Sequence, residues 1–364
     1  MKKVLSIILS ISLLLTLANT YVFAENDNRR ENEHFFVKTI VCPNDYIEYA
    51  NSNIISFLES HCENGVPNVK IKLGSPFTFM DEGSDVYYFP VMFDDVIRYI
   101  FRVYPNPKGS YDATISSFLV EDLEMLAKRT SIHKPLQLNR NKQDIVATIG
   151  DDKYILFTYP DDMCEPVNEL SDSKVLSQAS VVDIKVGSNI FVSTTNSNRA
   201  SSNSWSHYIS LNITETQGSN NWCAAYSTAT IVRTLGYGSC TAYGIMTIFY
   251  RRPTASDNLS RTQVVTYANM SGLYPIRVEN TVSSSTLIND LQNNRPVYFS
   301  MTRTGGNHAV VLRGYNSRNE KWSIWNPWFT FYETFSWGGT YVPTGYSSGT
   351  YSYTYARTIY HWTS

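Results

Sequence analysis

The chain has 364 residues, a formal net charge of −2 and 43% hydrophobic residues. Its basic residues are too few and too dispersed to indicate a nucleic-acid-binding surface, so we expect no nucleic acid as a partner. Behind an N-terminal leader, about 340 residues remain, which is enough for two domains with separate cores.

The first 24 residues have the parts of a secretory signal peptide. Lys2 and Lys3 precede an apolar run from Val4 to Ala18, and a short Val-Phe-Ala cleavage signal ends at Ala24. The run is too short to favour a membrane span, although an uncleaved anchor is the alternative. We therefore predict a signal peptide at 1–24 and a secreted, extracellular protein without stable membrane association.

Residues 25–198 are predicted to form a small, acidic α+β domain. A helical pattern at 45–63 precedes aromatic, β-branched runs at 85–93 and 96–104. Residues 25–199 carry 17 Lys plus Arg against 26 Asp plus Glu, whereas residues 200–364 carry 11 against 6. These opposite charges predict docking between the two parts; the alternative is that each surface is solvated by its own charge.

Three cysteines of the acidic part, Cys42, Cys62 and Cys164, are irregularly spaced and form no CxxC or His/Cys metal pattern. Cys42 and Cys62 flank the first helix, so they could form a disulfide outside the cell or remain small buried apolar residues. Further along, the polar run from Ser193 to Ser204 contains one basic residue, Arg199. It predicts an exposed linker that a protease could cut.

Cys223 is the candidate nucleophile because it falls where a helix should begin. Asn220 and Asn221 supply N-cap chemistry, the residues that follow are helix-compatible, and Gly236 bounds them. Unpaired N–H groups and the helix dipole at such a position stabilise a thiolate. Gln217, on the loop before the cysteine, could donate a hydrogen bond to an oxyanion.

A base and a group to orient it follow downstream. His308 lies at the start of an apolar, β-branched run, and Asn326 lies at the end of the next run. If the two runs are adjacent strands, both side chains fall at the same end of the sheet, so Asn326 can brace one imidazole nitrogen while the other faces the thiol. Trp325 and Trp328 bracket Asn326 and are predicted to shield this contact from water.

Residues 199–364 are predicted to divide into a helical half and a sheet half. The nucleophile belongs to the first half and the base to the second. The predicted helices are residues 223–236, 241–251, 259–270 and 286–293. The predicted strands are residues 297–301, 309–315, 322–325, 329–335 and 351–361.

The order of Gln217, Cys223, His308 and Asn326 resembles that of papain-like cysteine peptidases, and among them the compact secreted bacterial type typified by the staphopains. The patterns Gln-x5-Cys-Ala-Ala-Tyr, Gly-Asn-His-Ala-Val and Trp-Asn-Pro-Trp carry the resemblance, which covers about residues 201–364. The chain lacks the Gly-Ser-Cys-Trp element of plant and lysosomal members. Only 85 residues separate Cys223 from His308, which points to the compact bacterial type.

The resemblance implies a papain-like two-lobe fold and a cysteine endopeptidase made as a zymogen. Residues 25–198 are then interpreted as an inhibitory propeptide, released by cleavage near Arg199; the alternative is a tethered accessory binding domain. The chemistry needs no metal or organic cofactor. We expect protein or peptide substrates, the propeptide as an intramolecular inhibitor, and a monomer, and the resemblance makes a dedicated protein inhibitor a further expected partner.

Two other functions are compatible with the same residues. Cell-wall amidases, transglutaminases and toxin-type deamidases also use a Cys, a His and a polar third residue, so the chemistry is better defined than the substrate. A catalytically inactive binding module is the second alternative, because a fold does not by itself imply an activity. Cys240, which begins the next predicted helix, is the rival nucleophile, but no amide donor precedes it.

Overall fold

The computed structural model describes residues 34–80, 85–141, 144–159, 179–190, 206–343 and 352–364. The predicted signal peptide, Cys164, the polar run at 193–204 and the predicted domain boundary at 198/199 all lie outside these residues. From His34 to Ser364 the chain forms one compact unit. Below, the described residues up to 190 are called the N-terminal segment and those from 206 onward the C-terminal segment.

Six helices and seventeen strands occur in the described ranges. The helices are α1 Asn44–His61, α2 Val120–Ala127, α3 Cys223–Thr234, α4 Ala242–Tyr250, α5 Arg261–Met270 and α6 Ser284–Gln292. The strands of the N-terminal segment are β1 Phe36–Ile40, β2 Ile71–Gly74, β3 Tyr87–Phe93, β4 Val96–Pro105, β5 Tyr111–Ser116, β6 Leu136–Asn141, β7 Asp144–Ile149, β8 Asp152–Thr158, β9 Ala179–Asp183 and β10 Gly187–Ile190. Those of the C-terminal segment are β11 Ser206–Tyr208, β12 Ile276–Val278, β13 Val297–Arg303, β14 Gly306–Asn316, β15 Lys321–Trp325, β16 Tyr332–Ser336 and β17 Thr354–Tyr360.

The smaller sheet belongs to the N-terminal segment and has the order β8-β7-β6-β1-β9 among the described strands. Its pairs are antiparallel except β1 with β6, which is parallel. Alternate residues of β1 and β7 are buried, as expected for strands with one face on a core. Leu123 and Leu126 of α2 are fully buried and belong to that core.

The larger sheet runs through both segments of the chain. Its described order is β10-β2-β3-β4-β5-β16-β15-β14-β13-β17-β12, with β11 paired to β14. The junction is the antiparallel pair of β5 and β16, where Ile115 faces Thr334 and Thr114 faces Phe335. The two segments are therefore joined by backbone hydrogen bonds between strands. The charge difference could not predict this pairing.

Helix α1 lies across this junction and adds polar contacts between the segments. The Tyr208 hydroxyl donates to the Ser60 carbonyl at 2.6 Å, and the His61 imidazole contacts the Thr334 hydroxyl at 3.0 Å. Just beyond α1, Glu63 pairs with the buried Arg313 guanidinium at 2.5 Å. In the last of these contacts an acidic residue of the N-terminal segment pairs with a basic residue of the C-terminal segment, as the net charges predict.

Helix α3 is the central helix of the C-terminal segment. Every residue from Ala224 to Arg233 is buried, so the helix is enclosed by the rest of the protein on all sides. It ends as predicted before Gly236, whose positive φ of 81° suits a residue without a Cβ. Helices α4, α5 and α6 have Thr241, Ser260 and Ser283 as N-caps, and each of these side chains accepts a hydrogen bond from a first-turn N–H group.

The α+β fold predicted from the sequence is confirmed. Within the described ranges, no helix is long and apolar enough to cross a membrane. The same residues contain no group of three or more His, Cys, Asp or Glu side chains suited to hold a metal ion. Four of the five cysteines are described, namely Cys42, Cys62, Cys223 and Cys240, and none of these four forms a disulfide with another, so Cys42 and Cys62 are not bridged to each other.

Candidate active site

Cys223 is the first residue of α3, as the sequence predicts. The N-cap is Trp222, without a side-chain capping bond; Asn220 acts one step earlier by accepting from the Trp222 N–H at 3.1 Å. The Trp222 indole donates to the Thr254 carbonyl at 3.0 Å and anchors the turn. The first N–H groups of a helix have no intrahelical acceptor, so Cys223 sits at the positive end of α3.

Gln217 lies on the loop that leads to α3. Its backbone N–H donates to the Pro327 carbonyl at 2.7 Å, which ties this loop to the residue after Asn326. The side-chain Nε2 donates to the Asn220 carbonyl, and Oε1 has no hydrogen-bond partner among the described residues. Because an amide nitrogen carries two hydrogens, Nε2 retains one donor for the cleft.

His308 is the third residue of β14, just after the β13–β14 hairpin turn. Arg303 pairs with Gly306 across the hairpin, and Gly305 in the turn adopts φ 78°, a conformation that costs glycine little. Met301 of β13 faces His308 in register. The imidazole is almost fully buried, with 3% of its surface exposed.

Asn326 follows β15 directly and meets His308. Its Oδ1 accepts from the Trp328 backbone N–H at 3.1 Å and lies 2.9 Å from His308 Nε2. A backbone N–H can only donate, which identifies this atom as the amide oxygen, and an amide oxygen can only accept. Neutral His308 therefore carries its proton on Nε2, so Nδ1 is the basic nitrogen.

Trp328 covers the imidazole. Its ring stacks on His308 with centroids 3.9 Å apart and planes 22° apart. Trp325, the other tryptophan predicted to shield the contact, is fully buried and its indole donates to the Phe329 carbonyl at 2.8 Å. Of the two, Trp328 is the one that stacks on the histidine.

Burial sets the proton affinity of His308. It lowers the pKa of His308 from 6.5 to about 4; the hydrogen bond to Asn326 opposes this shift, and the charge of Arg303 adds to it. His308 is therefore neutral near pH 7 and able to accept a proton. A thiolate beside it would raise its pKa again, because opposite charges stabilise each other.

One cleft of about 550 Å³ brings together the candidate nucleophile, the candidate base and the candidate oxyanion donor. Gln217, Cys223, His308 and Trp328 line it. Arg261, Arg277 and Glu279 form a charged wall, in which Glu279 pairs with Arg261 at 2.5 Å and with Arg277 at 3.2 Å. All of the described lining residues belong to the C-terminal segment. Asn326 lies behind His308, outside the lining.

The chain is similar to known proteins in two comparisons. The profile of the Peptidase_C39 like family matches residues 209–348. Staphopain B from Staphylococcus aureus strain MRSA252 is 22% identical over 373 aligned positions, which cover 90% of both chains. The strain MSSA476 protein of the same name is 23% identical over the same shares.

These similarities support a cysteine peptidase.

The rival candidate thiol, Cys240, is in a different environment. Its Sγ donates to the Ala229 carbonyl at 3.7 Å, and burial raises the pKa of the Cys240 thiol. It is not among the residues that line the cleft. Reactive thiols need a lowered pKa and access to the substrate, so Cys223 is the better candidate nucleophile of the two.

Two buried residues at the site were missed by sequence reasoning. Tyr341 accepts a hydrogen bond from Asn326 Nδ2 at 2.7 Å, and its hydroxyl donates to Glu333. Neither lies in a recognisable motif. A lone glutamate in a strand of otherwise uncharged residues, Tyr-Glu-Thr-Phe-Ser, was the available signal, since a buried charge requires a partner.

Proposed function

We propose that the protein is a secreted cysteine endopeptidase of the papain-like, staphopain-like type, made as a zymogen. The observation that carries the proposal is the placement of Cys223 at the N-terminus of α3 in the same cleft as His308, whose Nε2 is held by Asn326. A nucleophile, a base and a group that orients the base are the parts that acyl transfer through a thiolate requires.

In the first half of the reaction, His308 Nδ1 takes the proton of the Cys223 thiol. The thiolate attacks the carbonyl carbon of the peptide bond, a carbon–sulfur bond forms, and the negative charge moves to the oxygen. Gln217 Nε2 and the Cys223 backbone N–H are placed to stabilise that oxyanion. The carbon–nitrogen bond then breaks as the His308 imidazolium protonates the departing amine.

In the second half, water replaces the amine. His308 Nδ1 removes a proton from the water, whose oxygen adds to the thioester carbonyl. The carbon–sulfur bond breaks, the new carboxyl product leaves, and Cys223 returns to its starting state. Asn326 holds the ring throughout because its oxygen accepts from Nε2 in both the neutral and the protonated histidine. No step requires a metal or organic cofactor.

Several observations support the proposed two-lobe fold, the proposed propeptide and the proposed secretion. Helices α3–α6 precede strands β13–β17, which suits a helical lobe and a sheet lobe. The similarity to staphopain B covers 90% of this chain and therefore includes part of the N-terminal segment. Residues 1–24 have a signal-peptide pattern. Monomeric state, polypeptide substrates and a dedicated protein inhibitor are parts of the same proposal.

The position of the described N-terminal residues limits how residues 25–198 could inhibit the site. None of the described N-terminal residues lines the cleft; Phe118 and Phe157 instead pack against Phe329, three residues beyond Asn326. Inhibition by the described residues would therefore act on the Asn326 side of the site. Trimming near Arg199 is expected to raise turnover, and equal activity of the full-length and trimmed protein would refute the zymogen.

The test of the proposal is turnover by matched cysteine variants. Wild type, Cys223→Ala and Cys240→Ala are incubated with an unstructured protein substrate, before and after limited proteolysis of the linker. We expect Cys223→Ala to abolish hydrolysis, because the nucleophile is lost, and Cys240→Ala to retain it. If maturation is autocatalytic, Cys223→Ala also stays uncut.

The opposite pattern would reject the assignment. Hydrolysis that survives in Cys223→Ala would exclude this thiol as the nucleophile. Release of ammonia or transfer of an acyl group to an added amine, without peptide-bond cleavage, would indicate an amidase, deamidase or transglutaminase instead.

A further inference from the structure

A chain of buried hydrogen bonds continues from His308 past Asn326. Asn326 Nδ2 lies 2.7 Å from the Tyr341 hydroxyl, and that hydroxyl contacts Glu333 Oε2. Asn326, Tyr341 and Glu333 are fully buried. The chain therefore connects the cleft histidine to a carboxylate in β16, inside the protein and away from solvent.

Each link of this chain has a defined direction. Burial and the nearby Glu333 charge raise the pKa of Tyr341 well above its usual value, so its hydroxyl stays protonated and donates to Glu333. The Tyr341 oxygen is then an acceptor for Asn326 Nδ2. Since Asn326 Oδ1 accepts from both Trp328 N–H and His308 Nε2, every donor from His308 onward points toward Glu333.

Glu333, the last residue of this series of hydrogen bonds, contacts the N-terminal segment. Arg102 of β4 places Nη2 3.2 Å from Glu333 Oε1 and 3.0 Å from the Val342 carbonyl, and it too is fully buried. Its Nε and Nη1 have no hydrogen-bond partner among the described residues. Desolvation of both charges offsets much of the attraction in a buried pair, so this pair is weak evidence of a contribution to stability.

We propose that Tyr341 and Glu333 are positioning residues, which fix the Asn326 amide so that its oxygen faces His308 Nε2 and supports the imidazolium that pairs with the Cys223 thiolate. Without the Tyr341 hydroxyl, Asn326 Nδ2 loses its buried acceptor and the amide is no longer held in one orientation. Protonated His308 then loses part of its stabilisation, and the thiolate that depends on it forms only at higher pH.

This proposal rests on the proposed function, and the test separates the two. The rate at which iodoacetamide alkylates Cys223 in the full-length chain is measured against pH, with the modified residue identified by mass mapping. This readout needs no turnover, so it works whether or not the chain is a zymogen. If wild-type Cys223 shows the pH midpoint of an ordinary thiol, near 8.5, the proposed function itself fails.

The informative variant is Tyr341→Phe, which removes one hydroxyl and keeps the ring. We expect its Cys223 midpoint to rise by about one pH unit, which means a roughly tenfold slower alkylation below the midpoint. Glu333→Gln should shift the midpoint in the same direction. A melting temperature lowered with an unchanged midpoint in both variants would overturn the proposal and leave a purely structural role.

Tyr104→Phe is the matched control. The Tyr104 hydroxyl is equally buried and donates to the Thr340 carbonyl at 3.0 Å, next to Tyr341, but it does not contact Asn326. Its loss should lower the melting temperature and leave the Cys223 midpoint at the wild-type value. An equal shift of the midpoint in Tyr104→Phe would show that any buried polar loss here disturbs the site, and would also overturn the proposal.

Discussion

Cys223 differs from the other described cysteines in its surroundings. Burial raises the pKa of Cys42 to about 12 and also raises the pKa of Cys62 and Cys240. Cys223 instead begins a helix and lines the cleft with His308. Side chains of one chemical type thus divide into three inert thiols and one candidate nucleophile.

His308 offers a direct residue-level prediction. Replacing the stacked Trp328 with Ala should admit water to the imidazole, and the pKa of His308 should rise from about 4 toward its usual value near 6.5. Trp328→Phe keeps an aromatic face and should change the pKa less. NMR titration of labelled histidine, assigned with His308→Gln, measures both. An unchanged pKa in Trp328→Ala would mean that the tryptophan does not control burial of the histidine.

The spacing of the motifs predicted the polar residues of the candidate site, but it could not predict the buried residues that hydrogen-bond to them. Gln217, Cys223, His308 and Asn326 stand in short, specific patterns. Tyr341 and Glu333 do not, because they reach Asn326 through the fold and not through sequence proximity. The same limit applies to Arg102, which lies 231 positions before its partner.

At the scale of elements, local patterns predicted most of the helices and strands of the C-terminal segment. Residues 223–236 and 309–315 were predicted as a helix and a strand, and the structure has α3 at Cys223–Thr234 and β14 at Gly306–Asn316. The strand partners were not predictable in the same way. The β5–β16 junction joins residues more than 200 positions apart, and strand propensity carries no information about such distant pairs.

If the chain is cut at the predicted linker, this junction predicts a change in hydrogen exchange. Peptides covering β16, residues 332–336, should be protected in the full-length protein because β5 pairs with this strand. After the linker is cut and the C-terminal fragment isolated, β16 becomes an edge, and its exchange should accelerate at least about tenfold. The amides of Val311 and Leu312 in β14, which pairs there with β13 on one side and β15 on the other, are the internal control. Equal exchange of β16 in both forms would show that the junction does not contribute to protection.

At the scale of the whole molecule, the charge difference predicted the sense of one ion pair between the segments but not of the innermost one. Glu63 of the acidic segment pairs with Arg313 of the basic one, as expected. Inside the sheet the polarity is reversed, because Arg102 comes from the acidic segment and Glu333 from the basic one. Net charge describes solvated surfaces, and a buried pair is decided by local packing.

Two histidines with a lowered pKa predict that acid weakens the folded chain. Burial lowers the pKa of His308 and of His61 to about 4, and the charge of Arg313 contributes at His61. Unfolded histidine titrates near 6.5, so between these values the unfolded chain binds more protons and folding stability falls as the pH is lowered. The stabilisation is fully present above pH 6.5. For His308 the loss by pH 4 is on the order of 3 kcal/mol.

Urea unfolding at pH 7.5 and at pH 4.5 measures this dependence. His61→Gln retains a side chain that can contact Thr334 but removes the titrating group, so its stability should depend less on pH than that of wild type. If His61→Gln kept the full wild-type pH dependence of stability, His61 would not contribute to that dependence.

The most direct test of a Cys223-based peptidase is stoichiometric inactivation. The chain, trimmed at its linker, is titrated with an epoxide inhibitor of cysteine peptidases while hydrolysis of a protein substrate is followed, and the adduct is located by mass mapping. The account predicts that hydrolysis falls in proportion to modification of Cys223 and reaches zero at one adduct per chain. Hydrolysis that continues with Cys223 fully modified, or inactivation with the adduct on another residue, would contradict it.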